Sequence, residues 1–236
     1  MQNFEHLTRA EKLELVALLE EKARRDKYRQ AELLFPDDGE LRRELYPKHM
    51  EFFEAGALHK ERCFMAGNRT GKTVAAGYEI RCHLTGKYPN WWNGKRFDRP
   101  NNWMAAGDTN ASTRDIIQSK LVGTDLNDLG TGLIGKDDVA DFDRKSGVPN
   151  GIEQLYVKHI SGGTSVLKLR SYDQGRKIFQ GSEEDGIWFD EECPQDVYSE
   201  ALIRTMTTQG ITMLTFTPLS GLTPLVVDFL KSAGQI

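Results

Sequence analysis

Short apolar runs alternate with helical patterns along most of the chain. Each apolar run is too short for an ordinary helix and is bounded by turn residues or by helical spacing, which is typical of buried strands. Strands that alternate with helices predict an α/β fold with a mainly parallel central sheet covered by helices on both faces. We expect strands within residues 62–66, 102–107, 186–192 and 211–218, and helices within residues 72–84 and 109–121.

A second pattern, strict alternation of apolar and polar positions, occurs in QLYVKHI (154–160) and SVLKLRS (165–171). The intervening Ser-Gly-Gly predicts a β-hairpin. Residues 123–152, by contrast, are rich in Gly and Asp and predict a long irregular loop. This loop includes the acidic segment DDVADFDR (137–144). Because we place that segment in a loop rather than at strand ends, we do not expect it to form a nuclease metal site.

The N-terminal segment predicts a helix that begins at a capping box. In such a box Thr8 and Glu11 each satisfy a free backbone N–H group. Residues 20–29 are strongly charged, which favours a solvated face, with contact to nucleic acid or a partner as the alternative. The sequence PDDG (36–39) breaks the helical pattern, and a short helix is expected after Pro47.

Composition limits the partners and compartments that fit this chain. Its 236 residues suffice for one α/β domain with a full core. A formal net charge of −4 argues against a permanent DNA clamp but permits transient contact through local basic residues. The three cysteines lack C-x-x-C spacing and are typical of reduced core thiols. The segment WWNGKRF (91–97) favours a loop packed on the core, with DNA stacking as the alternative.

The sequence AGNRTGKT (66–73) follows a predicted strand and precedes a predicted helix, as a phosphate-binding P-loop does. Gly67 and Gly71 would let backbone N–H groups turn towards phosphate oxygens, Lys72 would add charge beside the β- and γ-phosphates, and Thr73 would offer a hydroxyl to Mg²⁺. Ala66 replaces the usual Gly, which requires that this position need no positive φ. An ordinary glycine turn is the alternative. The predicted phosphate-binding residues are Ala66, Gly67, Asn68, Arg69, Thr70, Gly71, Lys72 and Thr73.

A buried strand ending in acidic residues predicts the second half of the site. Asp190 follows the apolar residues 187–189 and would hold Mg²⁺ at the sheet edge where α/β proteins bind ligands. Glu191 would polarise the attacking water as a general base, and Glu192 is the rival base. An acidic helix N-terminus is the alternative explanation for these carboxylates.

Two hydroxyl-bearing residues, Thr215 and Thr217, end the next predicted strand. They alternate with Phe216, so we expect both hydroxyls on one face, where they would sense the γ-phosphate. The β-propensity of threonine alone is the alternative.

Four segments together resemble the large terminase subunits of tailed bacteriophages, most closely those of the headful-packaging branch. The resemblance implies a P-loop NTPase of the class with an additional catalytic glutamate, with an ATPase core over residues 46–236 and a helical lid over residues 1–45. The family's C-terminal nuclease domain is expected to be absent from this chain. The segments are ERCFMAGNRTGKT (61–73), HLTGKYP (83–89), GIWFDEE (186–192) and LTFTPLSG (214–221).

The resemblance also implies roles for individual residues. The Walker B aspartate and the catalytic glutamate of the family fall on Asp190 and Glu191, and its coupling motif falls on residues 215–218. The adenine-side motif falls on Tyr46 to His49, with His49 where the family has Gln. That departure weakens the expectation of strict adenine selection.

Two arginines compete for the stabilisation of transition-state charge. Arg69 lies in the phosphate loop itself, and Arg176 precedes the predicted Walker B strand, where similar motors place an arginine that acts on a neighbouring subunit. A surface turn is the alternative for Arg176.

The resemblance implies a motor that hydrolyses ATP with Mg²⁺ to move viral double-stranded DNA into a procapsid in the host cell cytoplasm. The implied partners are that DNA, the portal protein, the small terminase subunit and further copies of the chain in a ring, with a monomer in solution also compatible. Two other functions remain open at this point. One is a nucleotide-gated assembly module with little turnover, and the other is a P-loop kinase that transfers phosphate to an acceptor instead of water.

Overall fold

One seven-stranded sheet forms the centre of the fold. The computed structural model describes residues 8–234, and the strands in chain order are β1 (Glu61–Met65), β2 (Asn102–Gly107), β3 (Val139–Arg144), β4 (Ile152–Lys158), β5 (Thr164–Ser171), β6 (Gly186–Asp190) and β7 (Ile211–Phe216). Their order across the sheet is β1-β7-β6-β2-β5-β4-β3. Neighbours from β1 to β5 are parallel, whereas β4 and β3 continue the sheet as antiparallel strands. The predicted mainly parallel sheet and the β4–β5 hairpin are therefore confirmed.

The helices flank this sheet and connect most of its parallel strands. The segment from 110 to 121, predicted as one helix, is continuous but has a π-helical middle section, Thr113–Gln118. Two single-turn 3₁₀ segments, Tyr172–Gln174 and Arg176–Phe179, follow β5. The α-helices are α1 (Arg9–Lys27), α2 (Pro47–Ala55), α3 (Lys72–Thr85), α4 (Asn110–Ser112), α5 (Ser119–Leu121), α6 (Gln195–Met206) and α7 (Pro224–Ser232).

Burial along the strands explains why the sheet is central. Every residue of β6 and of β7 is buried, as expected for parallel strands covered on both faces. Successive side chains point to opposite faces. Trp188 accordingly joins the hydrophobic cluster around α3, whereas Phe189 joins the cluster around α6 and α7.

The prediction of an irregular loop over residues 123–152 was wrong in part. β3 lies within this range and pairs with β4 at the edge of the sheet, with two irregularities in its register. Its residues are mostly exposed, and Asp141 and Asp143 interrupt the apolar positions, so the strand carries little hydrophobic signal. Pairing with β4 supplies the hydrogen bonds that the sequence pattern did not reveal.

The N-terminal helix forms at its predicted capping box but packs on little. The Thr8 hydroxyl accepts from the Glu11 backbone, and the Glu11 carboxylate accepts from the Thr8 backbone at 2.7 Å. α1 buries no residue, which agrees with a solvated face. Its C-terminal end is attached by Lys27 and Tyr28, which both donate to the Asp128 carboxylate at 2.6 Å.

The loop that contains Trp91 and Trp92 packs against the core, which is the interpretation that the sequence favoured over DNA stacking. The Trp92 ring is 3% exposed, and its Nε1 donates to the Lys95 carbonyl at 2.9 Å. Arg96 donates to the Trp92 carbonyl and lies over the Tyr88 ring. These aromatic and basic side chains therefore stabilise the loop internally. No helix among residues 8–234 is long and apolar enough to cross a membrane.

Candidate active site

Most of the predicted site residues, though not Arg176, come together at the carboxyl edge of three neighbouring strands. β1 leads into the phosphate loop, β6 ends at Asp190, and β7 lies between them. The strand order thus places Thr215 and Thr217, at the end of β7, between the loop and the acidic residues. This edge is where open α/β sheets bind ligands.

The phosphate loop has the backbone conformation that an anion site requires. Gly71 caps α3 with φ +86°, and a Cβ there would lie 2.9 Å from His49 Nε2, so both the backbone and the space favour glycine. Arg69 also has a positive φ, +61°, whereas Ala66 does not, as its replacement of Gly required. Gly67 has no left-handed φ, and a Cβ there would meet no atom within 4 Å, so the space beside its backbone is open. The N-terminus of α3 faces the loop and favours negative charge there.

The Lys72 ammonium group lies inside the loop. Its Nζ donates to the Gly67 carbonyl at 2.7 Å, to the Ala66 carbonyl at 3.0 Å and to Thr217 Oγ1 at 3.0 Å. Thr217 Oγ1 in turn lies 2.9 Å from both the Ala66 carbonyl and Asn68 Oδ1. Thr217 and the loop are therefore joined by direct hydrogen bonds.

A buried carboxylate faces this cation from β6. Asp190 Oδ1 accepts from Thr73 Oγ1 at 3.0 Å and from Thr215 Oγ1 at 2.8 Å. Burial raises the pKa of Asp190 to about 6, against the opposing effect of the two hydroxyl donors. Hydroxyl and carboxylate oxygens at this separation fit a hard divalent cation, and Thr73 and Asp190 are the residues that would hold Mg²⁺.

One residue of this arrangement was not anticipated from the sequence. Trp188 Nε1 donates to Thr215 Oγ1 at 2.7 Å, and that hydroxyl donates to Asp190. The indole thereby orients the Thr215 hydrogen towards the carboxylate. Trp188 is fully buried and resembles an ordinary core residue of a strand, so only the spatial proximity of β6 and β7 reveals the contact.

The two glutamates after Asp190 have different surroundings. Glu192 accepts a hydrogen bond from Thr223, the residue that caps α7. Glu191 is exposed, has φ +70°, and its side chain has no hydrogen-bond or ion-pair partner within residues 8–234. Its backbone N–H is fixed by the Thr215 carbonyl at 2.9 Å. Of the two candidates, Glu191 has the carboxylate that is free to meet a water molecule.

A cavity of about 280 Å³ lies beside the phosphate loop. Burial lowers the pKa of His49, so this side chain is neutral near pH 7. Its imidazole ring lies next to Gly71. The Phe35 ring contacts the rings of Tyr46 and His49 at centroid distances of 5.5 and 5.8 Å. The apolar and aromatic lining suits the flat ring of a base. The lining residues are Leu34, Phe35, Leu41, Tyr46, His49, Arg69, Thr70, Gly71 and Val74.

The two candidate arginines occupy different places. Arg69 is exposed on the phosphate loop and lines the cavity. Arg176 is exposed on the segment after β5, where its charge acts on Glu200 of α6. Neither guanidinium group has a hydrogen-bond partner in the described part of the chain. The structure therefore brings Arg69, but not Arg176, to this chain's own phosphate loop.

Comparison with known proteins agrees with this geometry. Residues 63–235 match the family described as terminase large subunit, T4likevirus-type, N-terminal. The large terminase subunit of Salmonella phage P22 is 36% identical over 250 residues, covering 98% of this chain and 48% of the relative. The chain thus spans about half the length of that relative.

Two solved structures share the fold. The large terminase ATPase domain of Thermus phage P74-26, solved as a point mutant, has a TM-score of 0.52 and 21% identity, covering 74% of this chain and 66% of that chain. The large terminase of a second thermophilic bacteriophage has a TM-score of 0.54 and 14% identity, covering 80% of this chain and 42% of that chain. The fold is that of a P-loop NTPase, and the chain belongs to the family of phage large terminase subunits.

Proposed function

We propose that this chain is the ATP-hydrolysing motor domain that drives viral double-stranded DNA into a procapsid. The observation that carries the proposal is the convergence of Lys72, Thr73, Asp190 and the coupling-motif threonines at one sheet edge. The family identity supports the same function. Portal protein, the small terminase subunit and further copies of this chain are the proposed partners, and the host cell cytoplasm is the proposed location.

The binding part of the mechanism follows from the loop and the adjoining cavity. The aromatic cavity lined by Tyr46 and His49 would receive the adenine ring, and the loop N–H groups with Lys72 would bind the phosphates. Thr73 and Asp190 would hold Mg²⁺, which would supply positive charge beside the phosphates. The segment before residue 46 supplies Leu34, Phe35 and Leu41 to the cavity wall, which supports its proposed role as a lid.

The proposed hydrolysis step uses the side chains that have no hydrogen-bond partner among the described residues. Glu191 would take a proton from the attacking water, because its carboxylate is exposed and is not engaged by another residue among those described. Arg69 or Arg176 would neutralise charge that develops on the transferred phosphoryl group. Thr217 contacts both Lys72 and the loop carbonyl of Ala66. Loss of the γ-phosphate would therefore change the hydrogen bonds at the end of β7.

If Arg176 takes part in hydrolysis, its location predicts that the rate of ATP hydrolysis depends on assembly. Because this arginine faces α6 and not its own loop, it would complete the site of a neighbouring chain. Steady-state phosphate release from ATP should then rise, per molecule, with protein concentration and with linear double-stranded DNA. A flat and appreciable rate would favour Arg69 acting within one chain. Tight ATP binding with no phosphate release at any concentration would contradict the motor assignment for this chain.

A further inference from the structure

A buried tyrosine hydroxyl lies at the carboxyl ends of three neighbouring strands. Tyr172 follows β5, and its Oη lies 3.0 Å from the Ala106 carbonyl in β2 and 3.0 Å from the Asp190 carbonyl in β6. The carbonyl of Glu191 is 3.2 Å away. One phenol group therefore contacts the main chain on both sides of the Walker B terminus.

This hydroxyl is a buried donor. Tyr172 is 6% exposed, so its hydroxyl hydrogen is shared with the neighbouring main-chain carbonyls and not with bulk water. A phenol has one hydrogen to share among these three carbonyls. Because buried carbonyls without a donor are unfavourable, the hydroxyl keeps the three main-chain groups close together.

The turn at Asp190 and Glu191 has a strained backbone, so it requires stabilising contacts. Glu191 has φ +70°, a conformation that is unfavourable for a residue with a Cβ. Its side chain is exposed and makes no hydrogen bond or ion pair of its own among residues 8–234. The direction of its carboxylate is thus set by the backbone, which is fixed by the Thr215 carbonyl on one side and by Tyr172 on the other.

The same tyrosine begins the segment that carries Arg176. Phe179, which ends that segment, is fully buried, and its ring centroid lies 6.1 Å from that of Phe189. The ring centroid of Tyr172 lies 6.0 Å from that of Phe189. Both ends of the arginine segment therefore rest on the residue that precedes Asp190.

We propose that Tyr172 is a positioning residue for the Asp190–Glu191 turn. Its hydroxyl holds this strained turn in the orientation needed for hydrolysis and connects the turn to the Arg176 segment. This inference rests on the proposed function. A displacement of the arginine segment by a neighbouring chain would then reach Glu191 through one hydrogen bond and one aromatic contact. Nucleotide binding, which depends on the loop and on Lys72, is expected to be independent of this tie.

The test compares two tyrosine-to-phenylalanine variants. Tyr172→Phe removes only the hydroxyl. Tyr198→Phe is the matched control, because Tyr198 also packs on Phe189, at a centroid distance of 5.9 Å, but donates to Glu61 at the start of β1, away from the site. We expect Tyr172→Phe to lower kcat at least roughly fivefold with the KM for ATP within about twofold, since misplacing a base affects chemistry and not binding. We expect Tyr198→Phe to change neither. Unchanged kcat in Tyr172→Phe, or equal losses in both variants, would overturn the proposal.

Amide hydrogen exchange gives a readout that does not require turnover. In Tyr172→Phe the amide of Glu191 should exchange faster, whereas Tyr198→Phe should leave that amide unchanged. Protection equal to that of the unmodified chain would overturn the positioning role. If the unmodified chain releases no phosphate, the proposed function fails, and the exchange comparison still decides whether Tyr172 holds the turn.

The tie to the arginine segment is tested by a double-mutant cycle. If Tyr172 and Arg176 act through one connected segment, the combined loss in kcat in Tyr172→Phe with Arg176→Ala should be smaller than the product of the single losses. Losses that multiply would overturn the tie.

Discussion

The two halves of the site are built in opposite ways. In the binding half, Lys72, Thr73, Asp190, Thr215 and Thr217 are buried or half-buried and hydrogen-bonded to one another or to the loop. The proposed catalytic half consists of exposed side chains that make no hydrogen bonds with other residues in the described chain. Its members are Arg69, Arg176 and Glu191.

Under the proposed function, this difference indicates which step a single chain can perform and which step depends on another component. Buried, mutually bonded groups lose little further entropy on binding a nucleotide, so the binding half is suited to hold ATP in a single chain. Exposed groups without partners must be placed at the moment of reaction. Hydrolysis, and not binding, is therefore the step that a neighbouring chain or DNA would control.

The largest effect is expected at the arginines. If Arg176 acts on a neighbour, Arg176→Ala should lower phosphate release by about 10³-fold or more, because an arginine finger contributes that much in related chemistry. Mixing this variant with Glu191→Gln should restore part of the rate, since each chain supplies what the other lacks. The same mixing experiment with Arg69→Ala is the control, and recovery there but not with Arg176→Ala would reverse the assignment.

A somewhat smaller loss is expected at the catalytic glutamate. Glu191→Gln should lower kcat by about 10²–10⁴-fold while ATP affinity stays within about twofold, because a general base contributes to chemistry only. Single-turnover hydrolysis and equilibrium binding measure the two quantities separately. Glu192→Gln is the matched control, as its carboxylate is engaged by Thr223. A normal rate in Glu191→Gln combined with a large loss in Glu192→Gln would exchange their roles.

In the binding half, Lys72→Met should weaken ATP binding by roughly tenfold to a hundredfold, the range expected for charge-assisted hydrogen bonds. Isothermal titration would measure the change. Lys95→Met is the control and should bind ATP normally, because Lys95 lies over the Phe97 ring and is not among the residues that line the cavity. Unchanged affinity in Lys72→Met would contradict the binding role of the phosphate loop.

The smallest effect concerns stability. Burial raises the pKa of Asp190 to about 6, so the native state holds a proton more tightly than the unfolded state and the free energy of unfolding should fall as pH rises from about 4 to 6. Asp190→Asn removes this dependence. Without Mg²⁺ it should be more stable than the unmodified chain at pH 8 by about 1–2 kcal/mol, given an upper bound of about 1.36 kcal/mol per pKa unit, and most of this difference should be gone at about pH 4, where the native carboxyl group is protonated. Urea unfolding at both pH values measures this, and an equal difference at both would show that the carboxyl charge is not the cause.

The sequence predicted most of the binding half because local chemistry determines it. A glycine and a lysine at fixed spacing between a strand and a helix define the phosphate loop, and Asp190 at the end of an apolar run defines the facing carboxylate. β3 was missed, because its exposed edge position leaves no hydrophobic pattern. The positive φ of Arg69 was not anticipated either, since spacing alone does not reveal which residues of a loop adopt a left-handed conformation.

What the sequence determined by itself was therefore the class of fold, the phosphate loop and the acidic strand end, all of which arise from contacts within a few neighbouring residues. Only the tertiary structure decided which glutamate is free, because Thr223 lies 31 residues from Glu192 in the chain yet bonds to it. The same holds for the contacts of Trp188 with Thr215 and of Tyr172 with the Walker B turn. Those contacts depend on strand order across the sheet, and strand order is set by the packing of the whole core.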